Sequence, residues 1–91
     1  MKEKDQIRAI NHLLDNSGIR EHFWLDENTA DVKFVNNCGH LSGGEQLLVK
    51  IAYSIWNQDL DVNLWEILGR LDSDNFRRFT DALMMARGLK P

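Results

Sequence analysis

Apolar residues recur at three- and four-residue spacing near the start of the chain. Ile7, Ile10, Leu13 and Leu14 fall on one side, with Lys4, Arg8, Asn11 and Asp15 on the other. This spacing predicts an amphipathic helix over residues 2–15, stopped by Gly18. The period then changes. His22-Phe23-Trp24-Leu25 and Asp31-Val32-Lys33-Phe34-Val35 flank the polar run Asp26-Glu27-Asn28-Thr29-Ala30, which predicts two short strands around a turn at about residues 22–35. A lone hairpin is marginal in water, so it must lie against helices. Asn36-Asn37-Cys38-Gly39-His40 reads as a loop from its Asn and Gly content.

Between Leu47 and Trp56 the pattern is apolar over most of a helical circumference, with a polar stripe at Gln46, Lys50, Ser54 and Asn57. Such a helix belongs at the centre of a domain. Ser42 and Glu45 form a capping box at its start. Asn63 and Glu66 spell a second box, opening a short helix through about Leu71. Asp72-Ser73-Asp74 caps a last helix through Arg87, with Phe76, Phe79, Leu83 and Ala86 at helical spacing. Gly88 is placed to end it in a left-handed conformation. The expected fold is therefore mainly α: one domain over residues 1–91, with about four helices around the 43–57 helix and a small two-stranded hairpin. Its expected core holds Leu47, Leu48, Ile51, Ala52, Ile55, Leu68, Phe79 and Leu83.

Composition narrows the function classes. The 91 residues are 43% hydrophobic and 27% charged, an ordinary globular balance, and the net charge of −3 argues against a dedicated nucleic-acid binder. Cys38 is the single cysteine, so no internal disulfide forms and a reducing cytoplasm is the expected location. The start Met1-Lys2-Glu3-Lys4-Asp5 has no apolar leader, and no apolar run reaches the ~18 residues of a membrane span. No membrane association is expected.

Leu41-Ser42-Gly43-Gly44-Glu45-Gln46, with the helix that follows, resembles the signature loop of ATP-binding-cassette proteins and of the chromosome-maintenance ATPases. Leu71-Asp72-Ser73-Asp74-Asn75 is similar to the segment after their second nucleotide motif. In that family the signature serine and glycine amides touch the γ-phosphate of ATP held by a partner subunit, and helix N-termini suit phosphate oxygens. The departures are large. The chain has no Gly-x-x-x-x-Gly-Lys-Ser/Thr loop, and Glu66 stands without the adjacent acid that would complete a magnesium site. No ATPase activity is expected, and modulation of a true ATPase by signature-loop mimicry is a remote alternative. A looser resemblance covers most of the chain: a charged helix, an acidic turn, a Ser-Gly-Glu-capped helix ending in Trp-Asn, and a Leu-Asp-x-x-Asn-Phe helix. It looks like small uncharacterised proteins of Gram-positive bacteria and of their phages and mobile elements. That resemblance implies a cytoplasmic accessory protein.

The remaining constellations carry little chemistry. His22, Cys38 and His40 lack the second ligand pair of a zinc site, and Cys38 with His40 lacks a third orienting group for nucleophilic catalysis. The acids lie in turns and caps. No catalytic residue, metal or cofactor is expected, and the chain is read as a non-enzyme. What stands out is aromatic and acidic surface. An exposed Trp is a candidate interaction hot spot, acids around the turn suit a basic partner surface, and Met84-Met85 spans two helix faces. Trp24, Asp26, Glu27, Asp31, Trp65 and Met84 are the candidate protein-binding residues. The expected function is an interaction protein that binds a protein partner, including an inhibitor of a host system, or that self-associates as a homodimer. The alternative is a small DNA-binding transcription regulator using residues 63–87, with a helix-turn-helix-like turn at Leu71-Asp72-Ser73 and Arg77 and Arg78 on the helix that follows.

Overall fold

A computed structural model describes residues 3–15, 18–27, 29–59 and 62–90. Among the described residues six α-helices follow one another: α1 Glu3–Leu14, α2 Arg20–Phe23, α3 Val32–Asn36, α4 Gly43–Asn57, α5 Leu64–Arg70 and α6 Ser73–Ala86. The chain is mainly helical, as its periodicity predicts. No helix among the described residues is long and apolar enough to cross a membrane.

The caps explain the boundaries. Ser42 Oγ accepts from the Glu45 amide at 3.2 Å, and Glu45 Oε1 accepts from the Ser42 amide at 3.2 Å, so both halves of the capping box form. Asn63 caps α5 through the amide of Trp65 at 2.8 Å, a simple cap rather than the expected box with Glu66. Asp72 caps α6 through the Asn75 amide at 2.8 Å. At the far end the Leu89 amide donates to the Met84 carbonyl and the Gly88 amide to the Met85 carbonyl, with Gly88 at φ +85. That is the Schellman arrangement, which satisfies carbonyls the helix leaves without partners.

The predicted hairpin does not form. Among the described residues the only strand-like contact in this region is one isolated antiparallel bridge between Trp24 and Ala30. Two short helices replace the strands. The Asp31 carboxylate accepts from the amides of Lys33 and Phe34 at 3.1 and 3.2 Å, which caps α3 at the position where the second strand was to begin. The first segment also fails to alternate: Phe23 is fully buried while Leu25, two residues on, is exposed. A strand would place both on one face. Asn28 and the expected turn tip lie partly outside the described residues.

The core lies mainly between α1 and α4, and α4 supplies the largest share of it. α1 packs along α6 and against α4, and α5 sits on α4. From α1, Ala9, Ile10, Leu13 and Leu14 are completely buried. They meet Leu47, Leu48, Ile51, Ala52 and Ile55 of α4, all buried as expected, and Phe79 and Ala82 of α6. Two expected core residues are not in it. Leu68 is 49% exposed and Leu83 48% exposed, because α5 and α6 lean on different neighbours and leave the space between them open.

Polar contacts fix α1 in place. Gln6, buried in α1, donates from Nε2 to the carbonyls of Ile55 at 3.0 Å and Trp56 at 3.3 Å, at the C-terminal end of α4. Arg78 of α6 donates to the His12 carbonyl at 3.2 Å, and His12 Nε2 stands 3.4 Å from Asp81 Oδ2.

Candidate protein-docking groove

α5 is only two turns long, and Ile67 is its one buried residue. Its seat is made by the chain before it. α4 ends on Gln58, which takes a left-handed conformation at φ 57, and Asn63 starts the new helix in an extended conformation. The corner to α6 is Leu71-Asp72, both extended. α5 is thus held against α4, while α6 runs along α1.

Between them lies an apolar groove of about 560 Å³. Ile51 and Ile55 of α4 form its floor. Leu64 and Ile67 make the α5 wall, and Phe79 and Leu83 the α6 wall. Towards the Leu71 corner a second hollow of about 420 Å³ lies along the same two helices, between Leu68 on one side and Phe76 and Thr80 on the other. The surface around the groove is apolar too. Leu64 is 58% exposed and Trp65 78% exposed, and Leu68, Leu83 and Met84 complete the set on α5 and α6. Scattered exposed apolar residues are normal, and this concentration on two adjacent helices makes the face the candidate site.

Charge from α5 onwards is close to balanced: Arg70, Arg77, Arg78, Arg87 and Lys90 stand against Glu66, Asp72, Asp74 and Asp81. Arg70, Arg77, Arg87 and Lys90 are exposed and make no ion pair among the described residues. Asp72 caps α6 and Asp81 faces His12. Arg77 lines the corner hollow and, with Arg78 and His12, a further hollow that also holds Asp74 and Asp81, so the two arginines are offset by two acids.

The six residues named from the sequence are not brought together. Trp65 and Met84 lie on the groove-forming helices. Trp24 is half-buried, stacked edge-on against Phe23, and its indole N–H donates to Asn11 Oδ1 at 2.7 Å, which ties the loop to α1. Asp31 caps α3, and Asp26 and Glu27 are exposed in the bend after Trp24. Leu64, Leu68 and Leu83 were missed as surface residues. The one available signal was the shortness of the segment between Asn63 and Asp72, since two turns cannot bury apolar residues on every side.

His22 stacks on Phe34 with ring centroids 5.8 Å apart, the buried Cys38 points its thiol at the Val35 carbonyl, and His40 is exposed. No group of three His, Cys, Asp or Glu side chains among the described residues could hold a metal ion. In the signature-like loop, a Cβ on Gly43 would meet nothing within 4 Å and one on Gly44 would make ordinary contact with the Arg70 carbonyl. Tight packing therefore does not demand either glycine. Ser42→Ala is expected to cost about 1 kcal/mol through the lost cap, whereas Gly43→Ala stabilises by roughly 0.4–1 kcal/mol by restricting the unfolded chain. Urea unfolding of both variants checks the pair; a destabilised Gly43→Ala would mean that the bare backbone is needed at this position.

Comparison with known proteins returns no match: no protein-family model fits the chain, and neither a curated protein nor a solved structure is significantly similar to it.

Proposed function

We propose that this protein is a non-enzymatic binding module whose α4–α5–α6 groove receives an amphipathic helix of a protein partner. The observation that carries the reading is the groove itself: an apolar floor and walls in which Leu64 is 58% and Leu83 48% exposed. A helix presenting apolar side chains at i, i+3 or i+4 and i+7 buries this surface and its own together. Trp65, exposed on the same helix as Leu64, is the candidate anchor, since a large aromatic side chain gains much on being covered. An accessory protein that acts by occupying a host component needs nothing more than such a surface.

The double variant Leu64→Asp/Leu83→Asp tests the reading. Both side chains are about half-exposed, so the melting temperature should change little, while a carboxylate at each wall makes the groove hostile to an apolar helix. Proteins retained by the immobilised wild type but not by the variant are purified and titrated directly. At least tenfold weaker binding to the folded variant is expected; equal binding removes the groove from the mechanism. A wild-type dimer in light scattering that the variant abolishes would assign the face to self-association.

A further inference from the structure

We infer that in the free protein the groove is covered by a second copy of the chain, in a two-fold pairing that seats the α5 ridge of each copy in the groove of the other. The inference rests on the groove being a docking surface and names what occupies it before a partner helix does. A two-fold interface brings one patch against itself, so the patch must carry a projection and a recess side by side. This face carries both. On a helix of 3.6 residues per turn, Leu68 lies about 40° and Trp65 about 100° round α5 from the groove-lining Leu64. Ile67, the buried residue of α5, lies about 60° to the other side. An apolar stripe therefore runs unbroken from the core, across the groove wall, to the exposed Trp65. The indole is the crest, and the recess of about 560 Å³ lies beside it.

Charge does not oppose the pairing. Glu66 and Arg70 fall about 160° and 120° from Leu64, on the side of α5 turned away from Leu68 and Trp65. The ridge itself is therefore uncharged. On α6, Arg77 shares a hollow with Asp74 and Asp81, so no surplus of one sign meets its own image across the two-fold axis. The area agrees. A standard interface takes about 800 Å² from each partner, and at about 56–65% apolar that is roughly 450–520 Å² of apolar surface. Leu64, Trp65, Leu68, Leu83 and Met84 are the large apolar side chains that α5 and α6 leave exposed. With a tryptophan worth on the order of 200 Å² when covered, the five together hold on the order of 500 Å². Ridge and recess are both on the one chain, so a second copy brings the apolar helix that the groove needs. A partner helix then competes with that copy for the same surface.

Sedimentation of the full-length protein from about 10 μM to about 1 mM tests the pairing, and a monomer–dimer equilibrium is expected. Trp65→Ala truncates an exposed side chain and should leave the melting temperature unchanged, yet weaken the dimer at least tenfold. Leu64→Asp/Leu83→Asp should abolish it. A mixing experiment tests the seating itself. Trp65→Ala keeps its recess and Leu83→Asp keeps its ridge, so a mixed pair retains one of the two contacts that each variant paired with itself has lost. The mixed pair should associate at least tenfold more tightly than either variant alone. A wild type that stays monomeric throughout the range would overturn the second copy while leaving the groove to a partner helix. A dimer that survives both Trp65→Ala and Leu64→Asp/Leu83→Asp, a mixture no tighter than its components, or growth beyond a dimer would overturn the ridge-in-groove pairing. A dimer lost in Leu64→Asp/Leu83→Asp, with a partner protein still bound at wild-type affinity, would uphold the pairing and overturn the partner-helix reading alone.

Discussion

Phe23→Ala is expected to lower the unfolding free energy by about 3–5 kcal/mol, the range found when a fully buried phenylalanine is truncated. Phe23 has no exposed surface. Its ring meets Trp24 edge-on at 5.0 Å, its amide donates to the Ile19 carbonyl, and its own carbonyl accepts from Asp31 at 2.7 Å. It is thus the peg that holds the irregular segment between α1 and α4 onto the core, where no sheet exists to do so. A domain of this size has about 5–15 kcal/mol in all, and each kcal/mol moves the melting temperature by roughly 4–8 °C. The variant should therefore melt roughly 12–40 °C below the wild type. Leu25→Ala is the control. That side chain is mostly exposed, so its removal should stay within about 0.5 kcal/mol. Thermal and urea unfolding followed by circular dichroism measure both; equal effects would mean that the segment is not pinned as described.

Gln6→Leu should destabilise by about 1–3 kcal/mol although it adds apolar surface to a buried site. The last carbonyls of a helix have no partners within it. In α4 those of Ile55 and Trp56 receive theirs from the Gln6 amide group, reaching across from α1. Leucine fills the space and leaves the Ile55 carbonyl buried without that donor, which costs the full desolvation of that group. Gln6→Glu separates donor from shape. The ionised carboxylate faces two carbonyls with nothing to give, whereas the protonated acid donates one hydrogen bond. Folding would then raise the introduced carboxyl above its unfolded value of ~4.3, so the stability it contributes is present below that pH and is lost as pH rises through the folded-state value. A stability difference between Gln6→Glu and wild type that does not shrink between pH 7 and pH 4 would argue that the donor is unimportant.

Helical character was legible wherever a long periodic run met a capping residue. Ser42 with Glu45, Asp72, and Gly88 mark real termini, because caps are local chemistry that a sequence states directly. The 22–35 segment was not. Its period-two pattern is too short to outweigh one aspartate: Asp31, read as the edge of a strand, instead caps a turn of helix. Burial on α1 was under-read for a related reason. Ala9 and Gln6 belong to the buried face, but one is small and the other polar, so the stripe looks narrower than it is. The groove escaped notice because sequence shows which residues are apolar and not which neighbours are missing. Leu68 and Leu83 have helical spacing and core-like character. They are exposed because α5 and α6 lean on different helices, a tertiary fact with no local signature. Trp24 and Trp65 make the same point in opposite directions, one tied to Asn11 and the other left open.

The pairing of α1 with α6 has a consequence for how the chain comes to be folded in a cell. The first of the described helices has its most extensive packing partner in the last of them, as the Arg78–His12 bond across a separation of 66 residues illustrates. Until α6 has left the ribosome, the face of α1 that packs along it stays uncovered. Domains whose native contacts join distant segments fold more slowly than those built from local ones, and apolar surface left waiting invites aggregation. Nascent chains halted anywhere before Ser73 should therefore be protease-sensitive and sticky. Protection should arrive in a single late step, when the final helix emerges and closes over the first.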